Sequence, residues 1–218
     1  MPVPLLVIGS KRYSSWSLRP WIALKHLGIP FQERLIPLRQ ADTPARIREY
    51  SPAGKVPVLV DGDLTVHESI AILEYLNETH ARERLLPRDA PTRARVRSVS
   101  AEMHAGFANV RRQLTINIGR KLALPALEEA TRAEVQRILS LWEGLRAEHK
   151  GGGPFLFGAF GMADCMFLPV ATRFHTYGVD LSGHPGARAY GEAMLALPAF
   201  QEWQGAAMAE PQIPLLDP

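Results

Sequence analysis

Apolar positions come in two rhythms along this chain. Leu5 to Ile8 is an unbroken apolar block ended by Gly9-Ser10, which reads as a buried strand. Beyond it the rhythm lengthens. Leu18, Trp21, Ile22, Leu24 and Leu27 fall at helical spacing, and Gly28 followed by Pro30 supplies the stop. Phe31 to Leu38 alternates as a strand does. Strand, helix and strand within so short a stretch predict a parallel βαβ unit. Asp42 to Glu49 reads as a polar helix. Val56 to Val60 is a strand, Asp61-Gly62-Asp63 a hairpin turn, and Leu64 to Val66 the returning strand. A helix then opens at Ser69, with Ile70, Leu73 and Leu76 on one face. The predicted order is β-α-β-α-β-β-α, closing near residue 80.

After that point only the longer rhythm remains. Ala81 to Pro91 carries Pro87, Pro91 and several charges, and reads as a linker. Val96, Val99, Met103, Phe107, Val110 and Leu114 form one helical run. Leu127 to His149, Met162 to Tyr177, Ala187 to Leu197 and Phe200 to Met208 are further helices. No internal repeat is visible. The pattern predicts an α/β domain over residues 1–80, a linker over 81–91 and an all-α domain over 92–218.

Composition narrows the function classes. The chain has 218 residues, 46% hydrophobic and 22% charged, which fits a globular protein and excludes collagen-like or disordered readings. Its 25 basic and 22 acidic side chains are evenly spread, 11 against 9 over residues 1–85 and 14 against 13 thereafter. Neither half has the field a nucleic-acid partner needs. No apolar run approaches the ~18 residues of a membrane span. The single cysteine, Cys165, excludes an internal disulfide, CxxC chemistry and a cysteine zinc cluster; its apolar helix makes it a buried structural thiol. The seven histidines lack HxxxH or HExxH spacing, so no metal is expected; His104 and His175 could reach a pocket, though surface or core placement is the leading reading. The start lacks a secretory leader, and a cytoplasmic setting is expected.

Chemistry can sit at three places. Tyr13-Ser14-Ser15-Trp16-Ser17-Leu18-Arg19 lies between the first strand and the first helix, where unpaired N–H groups favour an anion. Ser14 or Ser15 could donate to that anion, or could simply cap the helix. Lys55-Val56-Pro57 opens a strand with a residue that cannot donate a ladder bond. If the Pro57 bond is cis, the Val56 backbone could pair with an extended ligand; a plain edge strand is the alternative. Glu68-Ser69 begins the next helix. There a carboxylate, a hydroxyl and free N–H groups could hold both ends of a zwitterion, or merely cap.

Together these elements resemble the glutathione S-transferases, nearest the zeta-like and related bacterial branch. Ser14-Ser15-Trp16-Ser17-Leu18-Arg19 matches that branch's Ser-Ser-x-Ser-x-Arg loop. Val56-Pro57 matches the family's Val-Pro, and Glu68-Ser69-Ile70-Ala71-Ile72 its (Glu/Gln)-Ser-x-Ala-Ile element. Gly161-Met162-Ala163-Asp164 matches the (Ser/Thr)-x-Ala-Asp opening of a C-terminal helix, with Gly as the cap. The resemblance implies a thioredoxin-like N-terminal domain, a helical C-terminal domain, a homodimer, and glutathione as co-substrate for a small electrophile. It implies that Lys55, Val56, Pro57, Glu68 and Ser69 hold glutathione, with Val56 pairing the cysteinyl part and Glu68 and Ser69 the γ-glutamyl part. It gives Ser14 the thiol-activating role, with Ser15 in reserve; Arg19 reads first as an exposed helix charge and otherwise as electrostatic support for the site.

A thiol near pKa ~8.5 needs about 2.7 kcal/mol to fall ~2 units. A hydrogen bond to a charged atom gives about 1.5–3 kcal/mol and a helix N-terminus roughly 0.3–2, so a serine at this position suffices. Trp16, Met103, Phe107, Arg111, Arg173, Phe174 and Tyr177 are candidate walls of an electrophile pocket. Trp16 stands where the zeta-like pattern has Cys, and Thr176 near its pocket arginine, with Arg173 one turn earlier. Glutathione transfer is therefore the leading reading, with maleylacetoacetate-type isomerisation as the alternative. The same fold also serves as a non-catalytic interaction or ligand-carrier module. The stretch Arg82, Arg84, Arg88, Arg93, Arg95 and Arg97 reads as a solvated linker and helix face, or as a subunit contact or an aid in steering anionic glutathione.

Overall fold

The computed structural model describes residues 3–213. The first part builds β1 (Leu5–Gly9), α1 (Ser15–His26), β2 (Gln32–Ile36), α2 (Thr43–Arg48), β3 (Val58–Asp61), β4 (Leu64–His67) and α3 (Ser69–Thr79). The sheet order is β2-β1-β3-β4. β1 and β2 run parallel, as a βαβ unit requires, while β1–β3 and β3–β4 are antiparallel. β1 is an apolar block because both faces are covered. Leu6 and Ile8 pack with α1 and α3, and Val7 turns to the other side with Ile36, Ile47 and Val58.

The second part is helical: α4 (Ala90–Ala105), α5 (Ala108–Gln113), α6 (Glu129–His149), α7 (Met162–Tyr177), α8 (Pro185–Leu195) and α9 (Pro198–Ala209). Every residue of α7 except His175 is buried. A helix apolar around its whole girth must be enclosed, and α7 touches α1, α4 and α8. Cys165 lies in it with no exposure, and desolvation raises its pKa. No helix among the described residues is long and apolar enough to cross a membrane.

Three expectations need correction. The run from Val96 to Leu114 is two helices, because Gly106 is extended and Phe107 turns left-handed at φ 56°. A Cβ on Gly106 would lie 2.7 Å from the Glu102 carbonyl, so glycine is required where α4 stops. The apolar spacing runs through this break in phase, so periodicity misses it. Secondly, α4 begins at Ala90 within the expected linker, with Asp89 capping it by accepting the Thr92 N–H at 2.9 Å. Residues 81–89 are partly solvated, with Arg82, Glu83, Arg84, Arg88 and Asp89 exposed. Leu85 and Leu86 are buried, and Asn77 Oδ1 accepts both their N–H groups. The arginines of this stretch are held locally, Arg84 on the Ala81 and Leu27 carbonyls, Arg95 on Glu148 and Arg97 on Glu74. Thirdly, β3 starts at Val58, leaving Val56-Pro57 just outside the strand.

Candidate active site

A cleft of about 230 Å³ opens where α1, the turn before β3, the start of α3 and α4 meet. It is lined by Trp16, Ala53, Lys55, Val56, Pro57, His67, Glu68, Ser69 and His104. The fold thus gathers the second and third sequence elements, and Trp16 from the first. The Val56–Pro57 bond is cis. A larger cavity lies in the helical part, yet this cleft has the denser set of polar groups.

Glu68 precedes α3 with φ 68° and ψ 123°, a backbone conformation that residues other than glycine rarely adopt. Such a conformation costs roughly 1–3 kcal/mol and persists where the surroundings fix it. It leaves the Glu68 carboxylate about half exposed beside the helix start. Ser69 is buried, and its hydroxyl has no partner among the described groups. No acidic side chain stands in the first turn of α3. An orphan donor, a free helix N-terminus and an adjacent carboxylate therefore share one wall. Across from them, His104 Nε2 is 3.6 Å from Glu68 Oε2, and its Nδ1 is unpartnered. His104 stands edge-on to Trp16 at 5.3 Å. Position 104 follows the core residue Met103, so helical spacing gives little hint that it faces the cleft.

The serines occupy the adjoining turn; neither lines the cleft. Ser14 caps α1: its Oγ accepts the Ser17 N–H at 3.3 Å and donates to Ser17 Oγ at 2.7 Å. Ser17 Oγ in turn accepts the Gly9 N–H at 3.1 Å. The Ser15 side chain is buried without a hydrogen bond among the described residues. The turn ahead is anchored from the opposite end of the chain. The Glu210 carboxylate accepts the N–H of Lys11 at 2.8 Å and of Arg12 at 3.3 Å. Arg12 donates to the Met208 carbonyl, and Trp203 Nε1 to the Lys11 carbonyl.

Behind Trp16 lies a knot of cations. The Arg19 guanidinium stacks 4.0 Å from the Trp16 ring centroid, and Arg111 is 5.7 Å away. Arg19 is not an exposed helix charge but wholly buried; among the described residues only its Nε is bonded, to the Met166 carbonyl at 3.1 Å, and both terminal nitrogens lack partners. Burial, then Arg173 and Arg111, pull its pKa well below the guanidinium range. Arg173 falls to about 10, first by burial and then by Arg111. It bonds the Leu114 and Pro169 carbonyls. Among the described residues neither Arg19 nor Arg173 has an acidic partner in ion-pairing distance.

The remaining expected pocket residues are elsewhere. Met103 and Phe107 are buried in the main core, because the stripe that carries them packs on α7. Phe174 joins the same core and Tyr177 shares a hydrogen bond with Thr115 at 2.9 Å.

Comparison with known proteins follows this geometry. Residues 13–79 match the model of the glutathione S-transferase N-terminal domain, and residues 125–203 that of the C-terminal domain. The chain belongs to the glutathione S-transferase family. Rat maleylacetoacetate isomerase is 28% identical over 204 residues, covering 91% of this chain and 90% of that protein. A solved maleylpyruvate isomerase, a bacterial glutathione S-transferase of the zeta class, is 26% identical with a TM-score of 0.70, over 95% of this chain and 99% of that one. A Burkholderia glutathione transferase homologue solved with bound glutathione has a TM-score of 0.73 at 24% identity, over 96% of this chain and 100% of that one. Thus the chain has the glutathione S-transferase fold and relatives on the zeta side of the family. Helix α7 opens after Gly161 for a local reason: a Cβ there would meet the Leu85 carbonyl at 2.9 Å.

Proposed function

We propose that the protein is a glutathione-dependent enzyme that uses the thiol of bound glutathione against a small electrophile. The observation that carries this reading is the unpartnered Ser69 hydroxyl at the open start of α3, beside the half-exposed Glu68. That pair suits a group with a carboxylate and an ammonium on one carbon, as the γ-glutamyl end of glutathione has. Ser69 and the α3 N–H groups take the carboxylate, and Glu68 takes the ammonium. Val56, at the cleft wall, offers backbone to an extended peptide, and Lys55 faces the remaining negative charge.

Glutathione supplies a nucleophilic sulfur. The chain's part is to keep that sulfur ionised. A hydroxyl of the Ser14–Ser15 pair donates the hydrogen bond, and the start of α1, which has no acid in its first turn, adds its dipole. The Ser14 proton is engaged with Ser17 Oγ, whereas that of Ser15 has no protein acceptor. Ser15 can donate without breaking a bond, while Ser14 fixes the turn that presents it. Retention on immobilised glutathione, and its loss in Glu68→Ala, tests the reading. Failure to bind at millimolar glutathione would leave the fold with a non-catalytic interaction role.

Isomerisation of an acidic substrate is the second reading, and the cation knot favours it. Buried guanidinium groups without acidic partners are costly unless an anion meets them. The buried Arg19 and Arg173 provide that field behind Trp16, with the half-buried Arg111, which also feels Glu134, at its edge. Relatives carrying the names maleylacetoacetate and maleylpyruvate isomerase point the same way. Turnover of maleylpyruvate, lost in Arg111→Met while transfer to a neutral aryl halide persists, supports isomerisation; equal loss of both removes it. The domain division near residues 81–91, a homodimer and a cytoplasmic setting belong to the same proposal.

A further inference from the structure

The turn that leads into the serines owes its shape to residues far along the chain. The Ser10 carbonyl accepts the N–H groups of Tyr13 at 3.1 Å and of Ser14 at 2.8 Å. The backbone groups of Lys11 and Arg12 are met from the helical part instead. Glu210 takes both N–H groups, Trp203 Nε1 donates to the Lys11 carbonyl at 3.0 Å, and the Ile118 N–H donates to the Arg12 carbonyl at 3.0 Å. The Ile213 N–H adds a bond to the Tyr13 hydroxyl at 3.0 Å. Backbone groups away from water need partners, so the path of this turn depends on where those distant partners stand.

The Lys11 side chain ties the same point to α1. Its Nζ pairs with Glu33 at 2.8 Å and stands 5.3 Å and 5.4 Å from the ring centroids of Trp21 and Trp203. Trp21 Nε1 donates to the same carboxylate at 2.6 Å. Glu210 itself follows the last residue of α9, where the negative end of the helix dipole disfavours a carboxylate. Its placement serves the turn rather than its own helix, and neither Glu210 nor Trp203 lines the cleft.

We propose that Glu210 is a positioning residue for thiol activation: by holding Lys11 and Arg12 it aims a hydroxyl of the Ser14–Ser15 pair at the sulfur of glutathione. The inference rests on the glutathione reading above. A hydrogen bond weakens steeply with distance and angle, and a ~1 Å displacement caused far from the chemistry can cost ~10²-fold in rate. The groups assigned to the rest of glutathione, at Val56 and Glu68-Ser69, stand on other elements, so affinity does not depend on Glu210.

Glutathione is titrated by calorimetry into the intact protein, and the pKa of the bound thiol is read from thiolate absorbance. Glu210→Ala is expected to raise that pKa by ~0.5–1 unit, a ~3- to 10-fold smaller thiolate fraction below the pKa, and to leave the dissociation constant unchanged. Combined with whichever of Ser14→Ala and Ser15→Ala raises the pKa alone, it should add nothing, because it acts through that hydroxyl. Asp89→Ala uncaps α4 without touching residues 11–14 and should leave the pKa where it is. Glu210→Gln keeps one acceptor and covers the case in which Glu210→Ala does not fold; it should shift the pKa in the same direction by less. An unmoved pKa in a folded Glu210 variant, additive shifts in the double variant, or an equal shift in Asp89→Ala would each overturn the assignment. Wild-type protein that does not bind glutathione would remove the functional reading and the assignment with it, a result seen before any variant is made.

Discussion

Helix α7 begins with a carboxylate of its own, whereas α1 and α3 begin with hydroxyls and no acid in the first turn. Asp164 Oδ2 accepts the Gly161 N–H at 2.8 Å, and Oδ1 accepts the Leu156 N–H at 3.0 Å. The positive end of α7 is therefore closed by the protein itself, deep in the core. At α3 the Ser69 hydroxyl has no partner among the described groups, and at α1 no acid stands in the first turn. The contrast separates two uses of one physical device. A helix start capped by its own carboxyl group holds the fold together. A start that lacks one, beside an open cleft, is prepared for an anion from outside.

The largest effect should come from breaking the closed start. Asp164→Ala leaves two buried N–H groups without an acceptor and should cost about 3 kcal/mol of stability in urea unfolding. Glutathione affinity of the folded fraction should not change. The same carboxyl sharpens the contrast through pH. Burial lifts its pKa to about 7, against the pull of the Leu156 and Gly161 N–H groups. The folded state then holds a proton that the unfolded chain, titrating near ~4, has released. Stability relative to Asp164→Asn should be greatest below pH ~4, fall as pH rises to about 7, and level off above it. A flat difference between the two proteins would mean that the Asp164 carboxyl titrates alike in the folded and unfolded chain.

The open starts should respond the other way. Ser69→Ala removes a hydroxyl with no protein partner, so stability should hold while glutathione affinity drops ~10-fold by calorimetry. A loss of stability with affinity unchanged would make α3 a second structural cap. At α1 the two serines should divide. Ser15→Ala should raise the pKa of bound glutathione by ~1 unit, about 1.4 kcal/mol, read from thiolate absorbance. Ser14→Ala should instead cost about 1 kcal/mol of stability, as lost caps do. The reverse pattern would return the donor role to Ser14.

What the sequence revealed and what it hid divide along the same physical line. β1, α1, the hairpin and α7 were legible because each is fixed by local spacing and local stops. Val56-Pro57 and Glu68-Ser69 stand close in sequence, and the fold brings them to one wall. Arg19, Arg111 and Arg173 meet only after α1, α5 and α7 have packed, and no spacing rule spans such distances. His104 was open to two readings, pocket on one side and surface or core on the other, because its neighbour Met103 has a helical rhythm that points to the core. Gly106 was visible as a residue yet silent as a stop, because the apolar stripe continues beyond it.

The Glu210 clasp on Lys11 and Arg12 makes the last helical turn a strut for the serine turn. Trimming the polypeptide back past Met208, whether by a protease or by cloning, would unfasten that turn though it removes nothing from the cleft itself. Purification handles therefore belong at the amino end, and a carboxyl-terminal fusion that strains the strut would surface as slow chemistry rather than as misfolding.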